Sequence, residues 1–138
     1  MDIPPLAPIA NIRTVLNIEG SPVSAELVKQ VIDRRSDLKL ITAITGKSGI
    51  ELANSMQPDV ILLDSHLPDI GGLAVLKILL SSDQTAHIPV IAVSSDAFPK
   101  QIEAGLQAGY FAYLTKPYKI VALMDAIDSA LQLLPQTH

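Results

Sequence analysis

The run Val60-Ile61-Leu62-Leu63, followed at once by Asp64, constrains this chain more than any other stretch. Four consecutive aliphatic residues entered from Pro58-Asp59 predict a strand buried on both faces, because a half-buried strand would alternate apolar with polar. Such strands sit in parallel sheets covered by helices, and open sheets of that kind gather ligands outside the carboxyl ends of their strands. Asp64 is therefore predicted to be a carboxylate at a ligand-facing strand tip. Pro68 and Gly71-Gly72 punctuate the loop behind it, and a helical pattern then begins.

The rest of the chain repeats this alternation. Arg13–Ile18 reads as a first strand, with Glu19 at its tip. Ser21 or Ser24 can cap the helix that follows, with Pro22 in its first turn and Leu27, Val28, Val31 and Ile32 at helical spacing through Arg35. A strand over Leu38–Ala43 and a helix from about Lys47 to Met56 come next. After the Val60–Leu63 strand, a helix covers roughly Leu73–Leu80. Ile88–Val93 forms a fourth strand, in which Pro89 is tolerable near the start, and a helix runs from Pro99 to before Gly109. Phe111–Leu114 is a short fifth strand. The final helix spans about Ile120–Leu134, with Leu123, Ile127, Ala130 or Leu131, and Leu134 as its stripe, and Pro135 ends it.

Five strand–helix alternations with short connections predict an α/β fold, a doubly wound five-stranded parallel sheet with helices on both faces. The expected organisation is a proline-rich tail or linker over 1–11, one domain over 12–135 and a short tail over 136–138. The 138 residues, 49% of them hydrophobic, supply a core for one domain, and a net charge of -4 argues against nucleic-acid binding through phosphates. With no cysteine there is no disulfide framework, thiolate metal site or cysteine nucleophile. No apolar run is long enough to span a bilayer, and the N-terminus lacks a signal-peptide pattern. A cytoplasmic location is the expectation. His66, His87 and His138 show no ligand spacing and read as surface residues.

In a parallel sheet all carboxyl ends share one edge, so Glu19, Asp64, Ser94 and Lys116, each following a different strand, are predicted to converge. With Pro68 and Gly72 behind Asp64, Ser94 closing VIAVS, and Tyr113 and Lys116-Pro117 within YLTKP, the chain from Arg13 to Leu134 resembles the receiver domain of two-component response regulators. The resemblance implies a flavodoxin-like (βα)5 sandwich. It implies that Asp64 accepts a phosphoryl group from a histidine kinase or phosphotransfer protein. Lys116 and Ser94 would then meet the phosphoryl oxygens. It further implies a Mg²⁺ ion held by Asp64, Glu19 and the backbone carbonyl of His66. Ser94 and Tyr113 become switch residues, although Tyr113 by itself reads as packing, and the bond between Lys116 and Pro117 is expected to be cis. The domain is expected to be a phosphoacceptor rather than an enzyme in its own right. Its partner surface, and a possible homodimer face, would be the fourth helix, fifth strand and fifth helix, with no nucleic acid or membrane engaged directly.

One departure matters. Receivers place two adjacent acids after the first strand, and here the pair is Glu19-Gly20. Losing a unit charge about 4 Å away removes roughly 4 kcal/mol at an effective dielectric near 20, before desolvation. Weakened Mg²⁺ binding is therefore expected. Ser95 also stands where a small Ala is common. The alternative reading is a degenerate pseudo-receiver, a docking or dimerisation module independent of phosphorylation. A flavin-binding reading is disfavoured, because EGSPVS after the first strand makes no convincing phosphate cradle and there is no Trp.

Overall fold

A computed structural model describes residues 12–132. The elements alternate in chain order: β1 (Arg13–Ile18), α1 (Pro22–Ile32), β2 (Leu38–Ala43), α2 (Gly46–Met56), β3 (Val60–Asp64), α3 (Gly72–Ser81), β4 (Val90–Ser94), α4 (Pro99–Ala108), β5 (Ala112–Thr115) and α5 (Ile120–Gln132). The sheet order is β2-β1-β3-β4-β5, with every pair parallel. This is the doubly wound arrangement that the alternation predicts. Its crossovers place α1 and α5 on one face and α2, α3 and α4 on the other.

The run in β3 is uninterruptedly apolar because successive side chains serve two different cores. Ile61 and Leu63 pack with Leu16, Ile18, Ala53, Val75, Leu76 and Leu79 on one face. Val60 and Leu62 pack with Val15, Val28, Val31, Ile32, Leu123 and Ile127 on the other. All four are fully buried, and each such side chain stabilises the fold by about 1.5–3 kcal/mol relative to exposure. A polar residue anywhere in the run would meet a core.

Most boundaries fall where the sequence places them, and the differences have local causes. The first helix ends at Ile32 rather than Arg35, with Asp33 as its cap. Arg35 turns back to make paired bonds to Asp37 and Asp128 at 2.8–3.2 Å, tying the start of β2 to α5. Leu27 is 43% exposed, so it lies outside the buried stripe of α1. Ser21, not Ser24, caps α1, accepting from the Ser24 N–H. The fourth strand starts at Val90 because the Ile88 N–H closes a turn onto Thr85 and Pro89 offers only its carbonyl, which accepts from Ile61. Ala130 belongs to the buried stripe of α5 and Leu131 packs at its edge. The expected tails, together with Leu134, Pro135 and His138, lie outside the described residues. Gly109, at φ 124°, ends α4 in a conformation that side chains rarely adopt.

No helix among the described residues is long and apolar enough to cross a membrane.

Candidate functional site

Four of the predicted site residues meet at the carboxyl edge of the sheet. Asp64 is the last residue of β3 and Ser94 the last of β4. Glu19 directly follows β1, and Lys116 directly follows β5. The Lys116 ammonium lies 2.8 Å from Glu19 Oε1 and 3.7 Å from Asp64 Oδ1. It also reaches the Ser24 hydroxyl at 3.4 Å. At rest, then, its short partner is Glu19, 97 residues away in sequence, and Asp64 is the longer one. The Lys116–Pro117 peptide bond is cis.

Both carboxylates are buried, Glu19 at 3% and Asp64 at 7% side-chain exposure, and one ammonium serves the two. Burial, then the facing Asp64 carboxyl, pushes the Glu19 carboxyl above its ordinary range, against the pull of Lys116 and the Ser21 N–H. The pocket is short of positive charge. Among the described residues no group of three or more His, Cys, Asp or Glu side chains could hold a metal ion. A cation here would depend on two carboxylates and main-chain oxygen, a hard-oxygen set suited to Mg²⁺ with retained water. The donor chemistry and the charge deficit both fit such an ion.

Gly20 occupies the position where a second acid was expected, and the space beside it is narrow. A Cβ there would stand 3.0 Å from Pro68 Cδ and 3.4 Å from the Ile44 carbonyl oxygen. The exposed Pro68 ring borders the place of the missing side chain and would have to give by a few tenths of an ångström to admit one. Gly72, at the far end of the loop after β3, is held more tightly than Gly20, because a Cβ there would come within 2.8 Å of the Asp64 carbonyl oxygen and of Ser65 Cα.

Asp96, which sequence reasoning missed, ties three predicted residues together. Its N–H donates to Ser94 Oγ at 2.9 Å, and its carbonyl accepts from the Tyr113 hydroxyl at 2.9 Å. Its carboxylate lies 3.1 Å from His66 Nε2. The His66 side chain is exposed, as a surface histidine should be, but it is partnered across the mouth of the site. The His66 N–H also points at Asp64 Oδ1, 3.3 Å away. Asp69 was missed as well: its carboxylate accepts from the Gly46 and Lys47 N–H groups at 2.8 and 2.9 Å, tying the β3–α3 loop to the N-terminus of α2. Neither aspartate lies in a motif, and only loop geometry reveals its role. Ser95 and His87 make no side-chain hydrogen bond among the described residues.

Residues 15–128 match the family model for the response regulator receiver domain. The chain is 34% identical over 119 residues to the polar-differentiation response regulator DivK of Brucella anthropi, covering 86% of this chain and 96% of that one. The receiver domain of a Francisella response regulator superposes with a TM-score of 0.80 at 28% identity, covering 87% of this chain and 97% of that one. The receiver domain of a Pseudomonas aeruginosa sensor histidine kinase shares the fold, with a TM-score of 0.79 at 23% identity over 87% of this chain and 98% of that one. That structure holds a magnesium ion in its active-site cleft.

Proposed function

The chain belongs to the response regulator receiver domain family of two-component signalling, and from that premise we propose that Asp64 accepts a phosphoryl group from a phosphohistidine of a kinase or phosphotransfer partner. A carboxylate oxygen of Asp64 attacks the phosphorus in line, the P–N bond to the histidine breaks, and an acyl phosphate forms. The His66 N–H, aimed at Asp64 Oδ1, orients the carboxylate. Lys116 is within reach of both carboxylates, so a small shift from Glu19 brings its charge onto a phosphoryl oxygen. The Ser94 hydroxyl accepts from the Asp96 N–H, which leaves its own proton free to donate to another phosphoryl oxygen. Asp64, Glu19 and the His66 carbonyl would hold Mg²⁺, which supplies neutralisation of the phosphoryl charge when bound. With Gly20 beside them the ion is held more weakly than two acids would hold it.

Movement of Ser94 toward the phosphoryl group pulls on Asp96, and through it on the Tyr113 hydroxyl. A charge change at Asp64 thereby biases the β4–α4 loop and the surface of α4, β5 and α5 between two arrangements. The observation that carries this reading is the convergence of the Glu19 and Asp64 carboxylates, at the ends of two strands, within 3.7 Å of the ammonium of Lys116 at the end of a third. The test is incubation with acetyl phosphate and Mg²⁺ followed by intact mass. One phosphoryl adduct is expected, and none on Asp64→Asn. A wild-type protein that takes no adduct at saturating Mg²⁺, while Gly20→Asp does, would establish the pseudo-receiver instead.

A further inference from the structure

Tyr110 is 95% buried by its 5% exposure, and its hydroxyl has no hydrogen-bond partner among the described residues. A buried hydroxyl without a partner carries a desolvation penalty and calls for an explanation. Its surroundings supply one. The ring stands edge-on to Tyr113, with centroids 6.0 Å apart and planes at 88°. The hydroxyl lies under the loop that carries Asp64, 3.2 Å from where a Gly72 Cβ would be. That same point is 2.8 Å from the Asp64 carbonyl oxygen and from Ser65 Cα. At the other end, both tyrosine rings come within 3.1 Å of a Cβ placed on Gly105. Gly105 is thus where the chain gives up a side chain to the two rings, while at Gly72 the hydroxyl lies just behind the backbone atoms that already exclude one. Beside it a cavity of about 260 Å³, lined by Ser65, Gly72, Asp96, Gly105, Tyr110 and Tyr113 among others, gives loop and rings room to move.

We propose that Tyr110 is a positioning residue of this site: a strut between the Asp64 loop and Tyr113, whose hydroxyl donates to a main-chain carbonyl of that loop once Asp64 is phosphorylated. Burial, with the nearby Tyr113 and Asp64, pushes its phenol well above the usual range, so the group stays a donor. In this structure no described side chain or main-chain group accepts from that donor, and in the phosphorylated state the loop carbonyl does. The hydroxyl then favours the phosphorylated arrangement without touching the phosphoryl group.

This inference rests on the proposed phosphorylation of Asp64. The experiment compares wild type with Tyr110→Phe, which keeps the ring and deletes only the hydroxyl. Thermal unfolding is measured without additives, and affinity is measured for beryllium fluoride with Mg²⁺, a phosphoryl mimic. The expected result is a resting Tm equal to or above that of wild type, with affinity for the mimic weakened about three- to tenfold, the size of one hydrogen bond. Equal affinities overturn the inference while leaving the phosphoacceptor reading intact. A lower resting Tm with unchanged affinity also overturns it, because the hydroxyl is then already satisfied at rest. A wild type that takes neither the mimic nor an adduct from acetyl phosphate overturns both.

Discussion

Substituting Gly20→Asp separates two effects that the structure places on different sides of a measurement. The new carboxylate would stand beside Glu19 and Asp64, which already share one ammonium. At about 4 Å and an effective dielectric near 20, each pair of unit charges interacts by roughly 4 kcal/mol. Repulsion within the metal-free cluster and attraction to a divalent ion both favour the bound state. Desolvation of the ion and its ligands cancels much of this, and a net gain of about 1.4–2.7 kcal/mol, ten- to a hundredfold in Kd, is the expectation. The second effect is steric. The Cβ would meet the exposed Pro68 ring at 3.0 Å, and shifting a surface ring by a few tenths of an ångström costs about 0.5–1 kcal/mol. That cost is present with and without metal, so it lowers stability and leaves affinity nearly untouched. At about 4 °C per kcal/mol for a domain of this size, crowding lowers the metal-free Tm by about 2–4 °C, and repulsion among the three carboxylates lowers it further. Mg²⁺ titration followed by calorimetry, paired with melts in chelator and in saturating Mg²⁺, reads both terms. An unchanged Kd with a lowered Tm would refute the coordination argument, and an unchanged Tm in Gly20→Ala, which adds the Cβ without the charge, would refute the crowding by Pro68.

Two further outcomes follow from contacts away from the ammonium. Asp69 accepts two N–H groups at the start of α2, and these bonds, Lys47 first, hold its carboxyl below the ordinary 3.8. Its folded pKa is depressed, so its contribution is present above about 3.8 and is lost as pH falls through the lower folded value. Asp69→Asn should therefore lower Tm at pH 7 and converge with wild type in acid, and a difference that persists undiminished below that range would contradict this account. Arg35 bridges Asp37 and Asp128 with a partly exposed, forked set of bonds. Arg35→Lys keeps the charge and loses the fork, so a loss of about 1 kcal/mol in urea unfolding is expected, shrinking in high salt; no change would show the network to be idle.

The architecture was legible because it is written in local periodicity. A four-residue aliphatic run such as Val60–Leu63, entered from a turn, calls for burial on both faces, and here two helical layers supply it. A run closing on a carboxylate, a hydroxyl or a lysine puts those groups at one edge by topology alone. The helix ends were less legible where a side chain had a distant partner: Arg35 reads as one more helical residue until Asp128, 93 positions on, takes its guanidinium. Asp69, Asp96 and Tyr110 carried no signal, since an acid in a loop and a tyrosine before a strand are common everywhere.

From its sequence alone this chain had a parallel sheet, a site edge and a set of reacting groups, because burial pattern and strand direction are properties of short stretches and their order. Tertiary structure alone decided that Lys116 rests on Glu19 rather than Asp64, and that Pro68 borders the space beside Gly20. It alone joined Asp96 to Ser94, Tyr113 and His66. Those choices turn on differences of an ångström or less between loops far apart in the chain. A hydrogen bond or a charge pair changes its worth over that distance, and no local pattern encodes it.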